Sequence, residues 1–191
     1  MSCFSLSPPR NTLNRRKQAL SVPVTYLDEF AVISGHQIAE VVAAWGVTHV
    51  IWLPDSMLGT WEESLDTSNS FDLIRVCREG EAWPLAAGLY LGGKSPLLIM
   101  QSTGFFESGD AMRNVLFDLE IPVYALVGYR SYLLKDSPDT AKKFIEPIVN
   151  GWGLSHEIID GPSDLPKLSE HYRECQVEGI PGIGLIAEGA G

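Results

Sequence analysis

Glu79 and Glu81 are the carboxylates whose place in the sequence best suits acid–base chemistry. They follow the apolar run 71–77, which predicts a buried strand, and they precede a segment with apolar residues at helical spacing. Because proline fits the first turn of a helix, Pro84 predicts that this helix begins near Glu81 or Ala82. Glu79 would then lie at the strand-to-helix junction, a common position for functional groups. Spacing alone leaves a second interpretation open, in which both carboxylates only complement the positive end of the helix dipole.

Other apolar runs are also followed by polar residues that could bind a ligand. Asp55 and Ser56 follow one run, residues 101–104 (Gln-Ser-Thr-Gly) follow the next, and Arg130 follows a third. Short apolar strands that alternate with helices predict a single doubly wound α/β domain, with a mostly parallel sheet covered by helices on both faces. Ligands of such sheets bind at the carboxyl ends of the strands. We therefore expect these residues and Glu79 to meet at one edge of the sheet.

The first helix and the last strand of the domain are predicted from local signals. Ser34 is a suitable N-cap and Gly46 a suitable stop. The apolar residues of the predicted inner face are Ile38, Val41, Val42 and Trp45. The apolar run 182–187 predicts the last strand.

The composition of the 191-residue chain argues against several classes of protein. A net charge of −10 argues against a nucleic-acid-binding surface, and it means that an anionic substrate must meet a local basic cluster. Cys3, Cys77 and Cys175 are widely separated and odd in number, which indicates a reducing compartment and neither a disulfide framework nor a metal site. No apolar run has the length of a membrane span or a secretory signal. We therefore expect a cytoplasmic protein without a metal site of its own.

Residues 1–30 differ from the remainder in composition. They are rich in serine and contain no acidic residue before Asp28. Their basic residues are Arg10, Arg15, Arg16 and Lys17. We interpret this segment as a flexible N-terminal extension, or as the product of a misassigned start codon, before a domain that covers 31–191. An organelle-targeting peptide can have the same composition and is the remaining interpretation.

The segment 79–104 carries a motif in three parts. They read Glu-Gly-x-Ala-x-x-Leu-Ala-Ala-Gly at 79–88, Gly-Lys-x-Pro-Leu at 93–97 and Met-Gln-x-x-Gly at 100–104. With them, the chain from 38 to 128 resembles the pyrimidine-binding (PYR) domain of thiamine-diphosphate enzymes, in particular the sulfopyruvate and phosphonopyruvate decarboxylases. The resemblance implies that Glu79, nine residues before Gly88, contacts the aminopyrimidine ring and activates the cofactor. Glu81 does not fit this spacing.

The resemblance also implies a cofactor-binding loop after the predicted strand 96–100. Its residues are Gln101, Ser102, Thr103 and Gly104. Ser102 stands where the family has asparagine. An ordinary strand-to-helix turn is the alternative interpretation of this loop.

Substrate-binding residues are implied in two further places. Asp55 and Ser56 match a loop near the substrate in relatives, although Pro-Asp-Ser is also an ordinary turn and helix cap. Arg130, with Lys135 nearby, would bind a substrate anion, or else it is a solvated loop arginine. The segment 136–140 lacks the histidine that the family often carries there. That absence weakens the case for sulfopyruvate or phosphonopyruvate as the substrate.

The diphosphate and magnesium site of the family is not recognisable in this sequence. Relatives hold both groups with a Gly-Asp-Gly segment and a later Asn-Asn pair, whereas the nearest match here, at 108–111, reads as a helix start. The resemblance therefore implies the α subunit of a heteromeric thiamine-diphosphate decarboxylase of a small 2-oxo acid, with a β subunit that binds the diphosphate and magnesium. A carboligating or acyl-transferring subunit, or a non-catalytic partner of the same fold, are the alternatives.

An obligate complex predicts an exposed apolar surface on this chain. The candidate residues for that surface are Trp83, Phe105, Phe106 and Met112.

Overall fold

The computed structural model describes residues 32–55 and 58–189, and within these ranges the chain forms six β-strands and seven α-helices. The strands are β1 (His49–Trp52), β2 (Asp72–Arg75), β3 (Pro96–Gln101), β4 (Tyr124–Tyr129), β5 (Ser155–Ile159) and β6 (Gly182–Ala187). The helices are α1 (Gly35–Ala44), α2 (Glu62–Asp66), α3 (Glu79–Leu91), α4 (Ser102–Glu107), α5 (Gly109–Arg113), α6 (Thr140–Gly151) and α7 (Leu165–Glu178). The predicted extension 1–30 lies outside the described residues.

All six strands form one parallel sheet in the order β2-β1-β3-β4-β6-β5. From β1 the chain moves to one side of the sheet, and from β3 it moves to the other. The topological switch point therefore lies between β1 and β3, where doubly wound sheets bind their ligands. The last strand, β6, inserts between β4 and β5. The prediction of a doubly wound α/β domain is confirmed.

Each face of the sheet carries its own apolar core. On one face, α3, α5 and α6 cover residues of the central strands, with Trp83 and Ile145 fully buried. On the other face, α1, α2 and α7 cover the alternate residues of the same strands, with Ile38 and Leu168 fully buried. Burial on both faces explains why β3 and β4 read as continuous apolar runs in the sequence.

Local signals position α1 as predicted. Ser34 accepts a hydrogen bond from the Gln37 backbone N–H, and the Gln37 side chain accepts one from the Ser34 N–H, so that the pair forms a capping box. Gly46 follows the helix with φ at 71°, a left-handed conformation that favours glycine. Ile38 and Val42 are buried as expected, while Val41 and Trp45 are half-buried.

The predictions for β2 and α3 need correction. The run 71–77 is not a buried strand: among the described strands β2 pairs with β1 alone, at the margin of the sheet, and its end residues Asp72 and Arg75 are exposed. Helix α3 begins at Glu79, earlier than predicted, because Arg78 has the extended backbone of an N-cap. Pro84 therefore lies inside α3 and not in its first turn.

The predicted exposed apolar surface is also wrong for the residues described. Trp83, Phe105 and Met112 are at most 1% exposed, and Phe106 is half-buried. Trp83 faces the sheet, and its Nε1–H donates to the Ser108 hydroxyl at 2.9 Å, so that the whole indole is satisfied inside the domain. Large apolar side chains that are exposed occur elsewhere, at Leu91, Phe117, Leu119, Phe144 and Val177. No helix in the described ranges combines the length and apolar character that crossing a bilayer requires.

Candidate functional site

Glu79 lies at the carboxyl edge of the sheet, in close contact with the first turn of α4. It is the first residue of α3 and is half-buried. A Cβ atom added to Gly104 would lie 2.3 Å from Glu79 Oε1 and 2.4 Å from Glu79 Cγ. Only glycine at 104 therefore leaves room for this carboxyl group. The structure brings together two residues that the motif placed 25 positions apart.

A second carboxylate fixes the backbone beside Glu79. Glu107, the last residue of α4, accepts a hydrogen bond from the Gly80 backbone N–H at 3.2 Å through Oε2. Its Oε1 lies 2.6 Å from Arg78 Nε, in an ion pair. Glu107 thereby caps the amino end of α3 from a neighbouring helix. The junction that carries Glu79 is held on both sides, by Arg78 and by Gly80.

The predicted loop 101–104 is largely helical. Gln101 ends β3 and is the N-cap of α4, so that Ser102, Thr103 and Gly104 form the first turn of that helix. Ser102 is fully buried, and its Oγ has no hydrogen-bond partner among the described residues. Gln101 is half-buried, whereas Thr103 is exposed. The two buried positions, Ser102 and Gly104, face inwards at the switch point, and Thr103 does not.

Asp55 follows β1, and β1 is the strand next to β3, at whose end this turn lies. Its Oδ1 accepts a hydrogen bond from the Leu58 backbone N–H at 2.8 Å, at the start of the 3-10 helix Leu58–Trp61. The sequence left open the alternative that Asp55 only caps a helix, and this cap is present. Ser56, the other predicted substrate-binding residue of this segment, lies outside the described residues.

Arg130 follows β4 and is engaged in an ion pair. Its Nε lies 2.7 Å from Asp139 Oδ2, and the side chain is 34% exposed. Asp139 is the N-cap of α6 and also accepts hydrogen bonds from the Ala141 N–H and the Ser131 hydroxyl. The Ala141 N–H contributes most, followed by Ser131 and Arg130, to a pKa of Asp139 below its ordinary value. Lys135 is exposed on the loop that joins β4 to α6.

A carboxyl group that the sequence reasoning missed lies beside Arg130. Glu188 directly follows β6 and is only 5% exposed. Its N–H donates to the Tyr129 carbonyl at 3.2 Å, and its carbonyl accepts from the Leu133 N–H at 3.0 Å. A Cβ atom added to Gly128 would lie 1.8 Å from Glu188 Oε1, so the carboxyl group lies directly on the β4 backbone.

The electrostatic surroundings of Glu188 favour its protonated form. Burial contributes most, followed by the negative charge of Asp55, and together they raise the pKa of Glu188 to about 8. Arg130 opposes this shift. Glu188 Oε1 is buried without a hydrogen-bond partner among the described residues. The sequence signal that could have found Glu188 is the one that selected Arg130: it is a charged residue immediately after an apolar strand.

The carboxyl edge therefore contains two groups of residues, all of them predicted from the sequence except Glu188. Glu79 and Gly104 are in contact, and the charges of Asp55 and Arg130 act on Glu188. Among the described residues, no cluster of three or more His, Cys, Asp or Glu side chains is arranged to hold a metal ion. Asp110, in the segment that read as a helix start, lies in the first turn of α5 and pairs with Arg113 at 2.9 Å.

A cleft of about 620 Å³ lies at the opposite, amino edge of the sheet. Its walls include Trp45 and Tyr172, whose rings stack with centroids 4.1 Å apart. The indole Nε1–H of Trp45 donates to the Ser169 hydroxyl at 3.2 Å. Because parallel sheets bind ligands at their carboxyl ends, we place the candidate site at the carboxyl edge.

Comparison with curated proteins supports the resemblance carried by the motif. The chain is 26% identical over 122 residues to a sulfopyruvate decarboxylase of Methanosarcina acetivorans, a match that covers 63% of this chain and 32% of that protein. It is 25% identical over 132 residues to the sulfopyruvate decarboxylase subunit alpha of Methanothermobacter thermautotrophicus, covering 68% and 75% of the two chains. The subunit alpha of Methanococcus maripaludis is 31% identical over 88 residues, covering 46% and 53%. No family model matches the chain.

Among solved structures, the chain is similar to 2-oxoglutarate:ferredoxin oxidoreductase from Magnetococcus marinus, solved with 2-oxoglutarate, coenzyme A and succinyl-CoA bound. The TM-score is 0.64 at 12% identity, over 83% of this chain and 29% of that one. This likeness shows a shared fold. The chain spans about a third of the length of the Methanosarcina acetivorans protein and three quarters of the Methanothermobacter thermautotrophicus subunit. The predicted resemblance to sulfopyruvate decarboxylase α subunits is confirmed.

Proposed function

We propose that this chain is the pyrimidine-binding subunit of a heteromeric thiamine-diphosphate-dependent decarboxylase that acts on a small 2-oxo acid. The observation that carries the proposal is the placement of Glu79, half-buried at the carboxyl edge and seated against Gly104. The names of the relatives, sulfopyruvate decarboxylase and its subunit alpha, support the same activity. In this proposal the domain covers 31–191 and follows an extension at 1–30. The free thiols of Cys77 and Cys175 support a cytoplasmic location.

The residues at the carboxyl edge fit the aminopyrimidine end of the cofactor. The absence of a side chain at Gly104 leaves room for the Glu79 carboxyl group, and the buried Ser102 hydroxyl has no partner among the described residues. When bound, thiamine diphosphate supplies the electron sink for the loss of carbon dioxide from a 2-oxo acid. In the proposed role Glu79 holds or shares a proton at a carboxylate oxygen that faces the pyrimidine. Glu107 and Arg78 keep that oxygen in place by fixing the first turn of α3.

The charged end of the cofactor requires groups that the described residues do not offer. No cluster suited to magnesium occurs among them. We therefore propose that a β subunit supplies the magnesium and diphosphate site, with the cofactor at the junction of the two chains. The name "subunit alpha" of two curated relatives supports a companion chain of this kind.

Substitution of Glu79 by glutamine tests the catalytic part of the proposal. Glu79→Gln keeps the size of the side chain but cannot hold a carboxyl proton, so turnover should fall at least ~10²-fold while the fold stays intact. Glu81→Gln is the matched control, because Glu81 is exposed on the same helix. Exchange of the C2 proton of the bound cofactor, measured with the companion chain present, reports the step directly. Equal exchange rates in the two variants would refute the assignment.

Titration calorimetry tests the division of the cofactor site. The isolated chain should bind thiamine diphosphate and magnesium weakly, and addition of the companion should produce tight, magnesium-dependent binding. Tight binding by this chain alone would overturn the shared-site proposal and leave the role of Glu79 intact.

A further inference from the structure

The burial of the Glu188 carboxyl group is not explained by the hydrogen bonds that it makes within the described residues. Hydrogen bonds to Tyr129 and Leu133 fix its backbone on both sides, and its side chain lies across Gly128. Its Oε1 is buried, yet it has no hydrogen-bond partner among the described residues. A buried polar atom without a partner lowers stability, so it calls for an explanation such as a ligand or water that completes the bond.

A second unpartnered atom lies on the other side of the same strand end. Gln101 pairs with Gly128, and Gly128 pairs with Ile186, so the ends of β3, β4 and β6 are adjacent. Ser102 follows Gln101, and its buried Oγ has no partner among the described residues either. Ser102 and Glu188 thus flank the carboxyl end of β4 and leave unsatisfied polar atoms on both of its sides. This is where doubly wound sheets bind their ligands.

Burial contributes most to the raised pKa of Glu188, and two neighbouring charges add to this shift or oppose it. Asp55, after β1, brings a negative charge that opposes ionisation. Arg130, after β4, would favour ionisation, but its Nε is paired with Asp139 at 2.7 Å. Burial and the negative charge of Asp55 therefore favour the protonated form of Glu188. A protonated carboxyl group is a hydrogen-bond donor, whereas an ionised one can only accept.

We propose that Glu188 is a substrate-binding residue, which carries its proton on Oε1 and donates a hydrogen bond from it to a carboxylate or keto oxygen of the bound 2-oxo acid. This inference rests on the proposed function, because it takes the ligand to be a 2-oxo acid. It adds a recognition group that does not depend on Arg130. It also sets a pH limit on binding, since the ionised Glu188 would repel the carboxylate that the acid form attracts.

Two substitutions separate the hydrogen-bond donor of Glu188 from the negative charge that it can acquire. Glu188→Gln keeps an N–H donor of similar length but cannot ionise, and Glu188→Met keeps the length without a donor. Glu178→Gln, at the exposed end of α7, is the control. The probe is pyruvate, and its Kd is measured by calorimetry on the chain assembled with its companion, in a Glu79→Gln background that suppresses turnover.

The expected results differ on the two sides of the pKa of Glu188, which is about 8. At about pH 6, Glu188→Gln should bind pyruvate within about threefold of the parent, and Glu188→Met should bind about tenfold more weakly, the usual cost of a hydrogen bond to a charged group. At about pH 9.5 the parent should weaken about tenfold, and Glu188→Gln should not change. Parallel pH profiles for the parent and Glu188→Gln, or full affinity in Glu188→Met, would overturn the proposal.

A change at Gly128 moves the carboxyl group without altering its chemistry. Because an added Cβ atom would lie 1.8 Å from Glu188 Oε1, Gly128→Ala should displace the side chain and reproduce the affinity loss of Glu188→Met. Gly151→Ala is the matched control, since a Cβ atom there has no neighbour within 4 Å. Full affinity in Gly128→Ala would show that the position of Glu188 does not matter for pyruvate, which contradicts the proposal.

The failure of this inference is distinguishable from the failure of the proposed function. The infrared difference spectrum of the full chain alone, wild type minus Glu188→Gln, should show a carboxylic acid band at about pH 6 that disappears at about pH 9.5. Absence of that band overturns the role of Glu188 and leaves the role of Glu79 untouched. Undiminished cofactor exchange in Glu79→Gln overturns the catalytic proposal, whereas the infrared band, measured in the wild-type background, is independent of it. Absence of pyruvate binding in every variant would overturn both.

Discussion

At the amino edge of the sheet, Tyr124, His171 and Ser155 satisfy one another, whereas at the carboxyl edge Ser102 and Glu188 have no side-chain partner among the described residues. The Tyr124 hydroxyl lies 2.7 Å from His171 Nδ1, and the Ser155 hydroxyl lies 2.9 Å from His171 Nε2. Both edges bury polar groups at the ends of neighbouring strands, since Tyr124 begins β4 and Glu188 follows the adjacent strand β6.

The difference separates two uses of buried polarity. In a closed network, the polar groups have replaced their hydrogen bonds to water with hydrogen bonds inside the protein. Such a network adds to stability and leaves no hydrogen-bonding group for a ligand. An open pair of atoms lowers stability until something binds. We therefore expect changes at the amino edge to affect unfolding alone, whereas changes at the carboxyl edge should affect catalysis or binding and, at Glu188, stability as well.

The largest expected effect is on the pH dependence of stability at Glu188. Its pKa rises from 4.5 to about 8 on folding, so between these values the folded chain binds more protons than the unfolded chain. Stability should therefore fall as pH rises through this interval. Glu188→Gln removes the effect, and relative to wild type it should gain about 3 kcal/mol in unfolding free energy between about pH 5 and pH 8. Denaturant unfolding at a series of pH values measures this difference.

The amino edge provides a control, because the pH dependence of stability expected there has the opposite sign. Burial lowers the pKa of His171 below its ordinary 6.5, so acidification through that region should destabilise wild type. Glu188→Gln should leave this acid limb unchanged. An identical pH dependence of wild type and Glu188→Gln above the limb would mean that Glu188 ionises in the folded chain as it does in the unfolded chain.

The next largest effect concerns the contact between Glu79 and Gly104. Gly104→Ala places a Cβ atom 2.3 Å from Glu79 Oε1, within a helix whose backbone accepts alanine. The Glu79 side chain must rotate away, and turnover should fall about 10²-fold, as for loss of an acid–base group. The unfolding midpoint should change little. Gly109→Ala, where a Cβ atom meets nothing within 4 Å, should keep full turnover in the same steady-state assay. If both alanine variants are equally active, Glu79 does not need its position on Gly104.

A smaller effect is expected at the amino edge. Tyr124→Phe removes the hydroxyl that lies 2.7 Å from His171 Nδ1 and leaves that nitrogen buried without a partner. The unfolding free energy should fall by about 1–3 kcal/mol, while kcat and KM per folded molecule stay at their wild-type values. Chemical denaturation and kinetics on the same preparation test both halves. A loss of activity in stably folded Tyr124→Phe would contradict the division between the two edges.

The smallest expected effect belongs to Arg130. If the substrate carries a second anion, Arg130→Ala should raise KM for sulfopyruvate relative to pyruvate by about tenfold or less. The effect is limited because Asp139 already engages the guanidinium. Lys135→Ala, at an exposed position of the same loop, is the control. An unchanged ratio of the two KM values would mean that Arg130 pairs with Asp139 without binding a substrate anion.

Sequence reasoning succeeded where one segment determines its own structure. The Ser34 capping box and the limits of β6 follow from neighbouring residues, and so does the junction at Glu79. The motif selected Glu79 and Gly104, although spacing alone did not show that the two are in contact.

It did not succeed where distant segments meet. The position of β6 beside β4 brings Glu188 to Asp55 and Arg130, and no local pattern encodes that strand order. The pairing of Arg130 with Asp139 likewise depends on how the following loop folds back. Trp83 read as a candidate interface residue because its helical face could not be assigned before the sheet was known.

The place of β6 has a consequence for the order of folding. The chain makes β4, then β5, then β6, but within the described part of the chain β5 pairs only with β6, and β6 lies between the other two. Until residues 182–187 dock, β5 therefore lacks a partner among the described strands, and β4 has one open edge. Open strand edges favour pairing with other chains, and such long-range closure is slow compared with helix formation. Because Glu188 follows β6, insertion of β6 both completes the sheet and brings Glu188 to the carboxyl edge. A folding species that has not yet inserted β6 therefore lacks the complete sheet and the complete site.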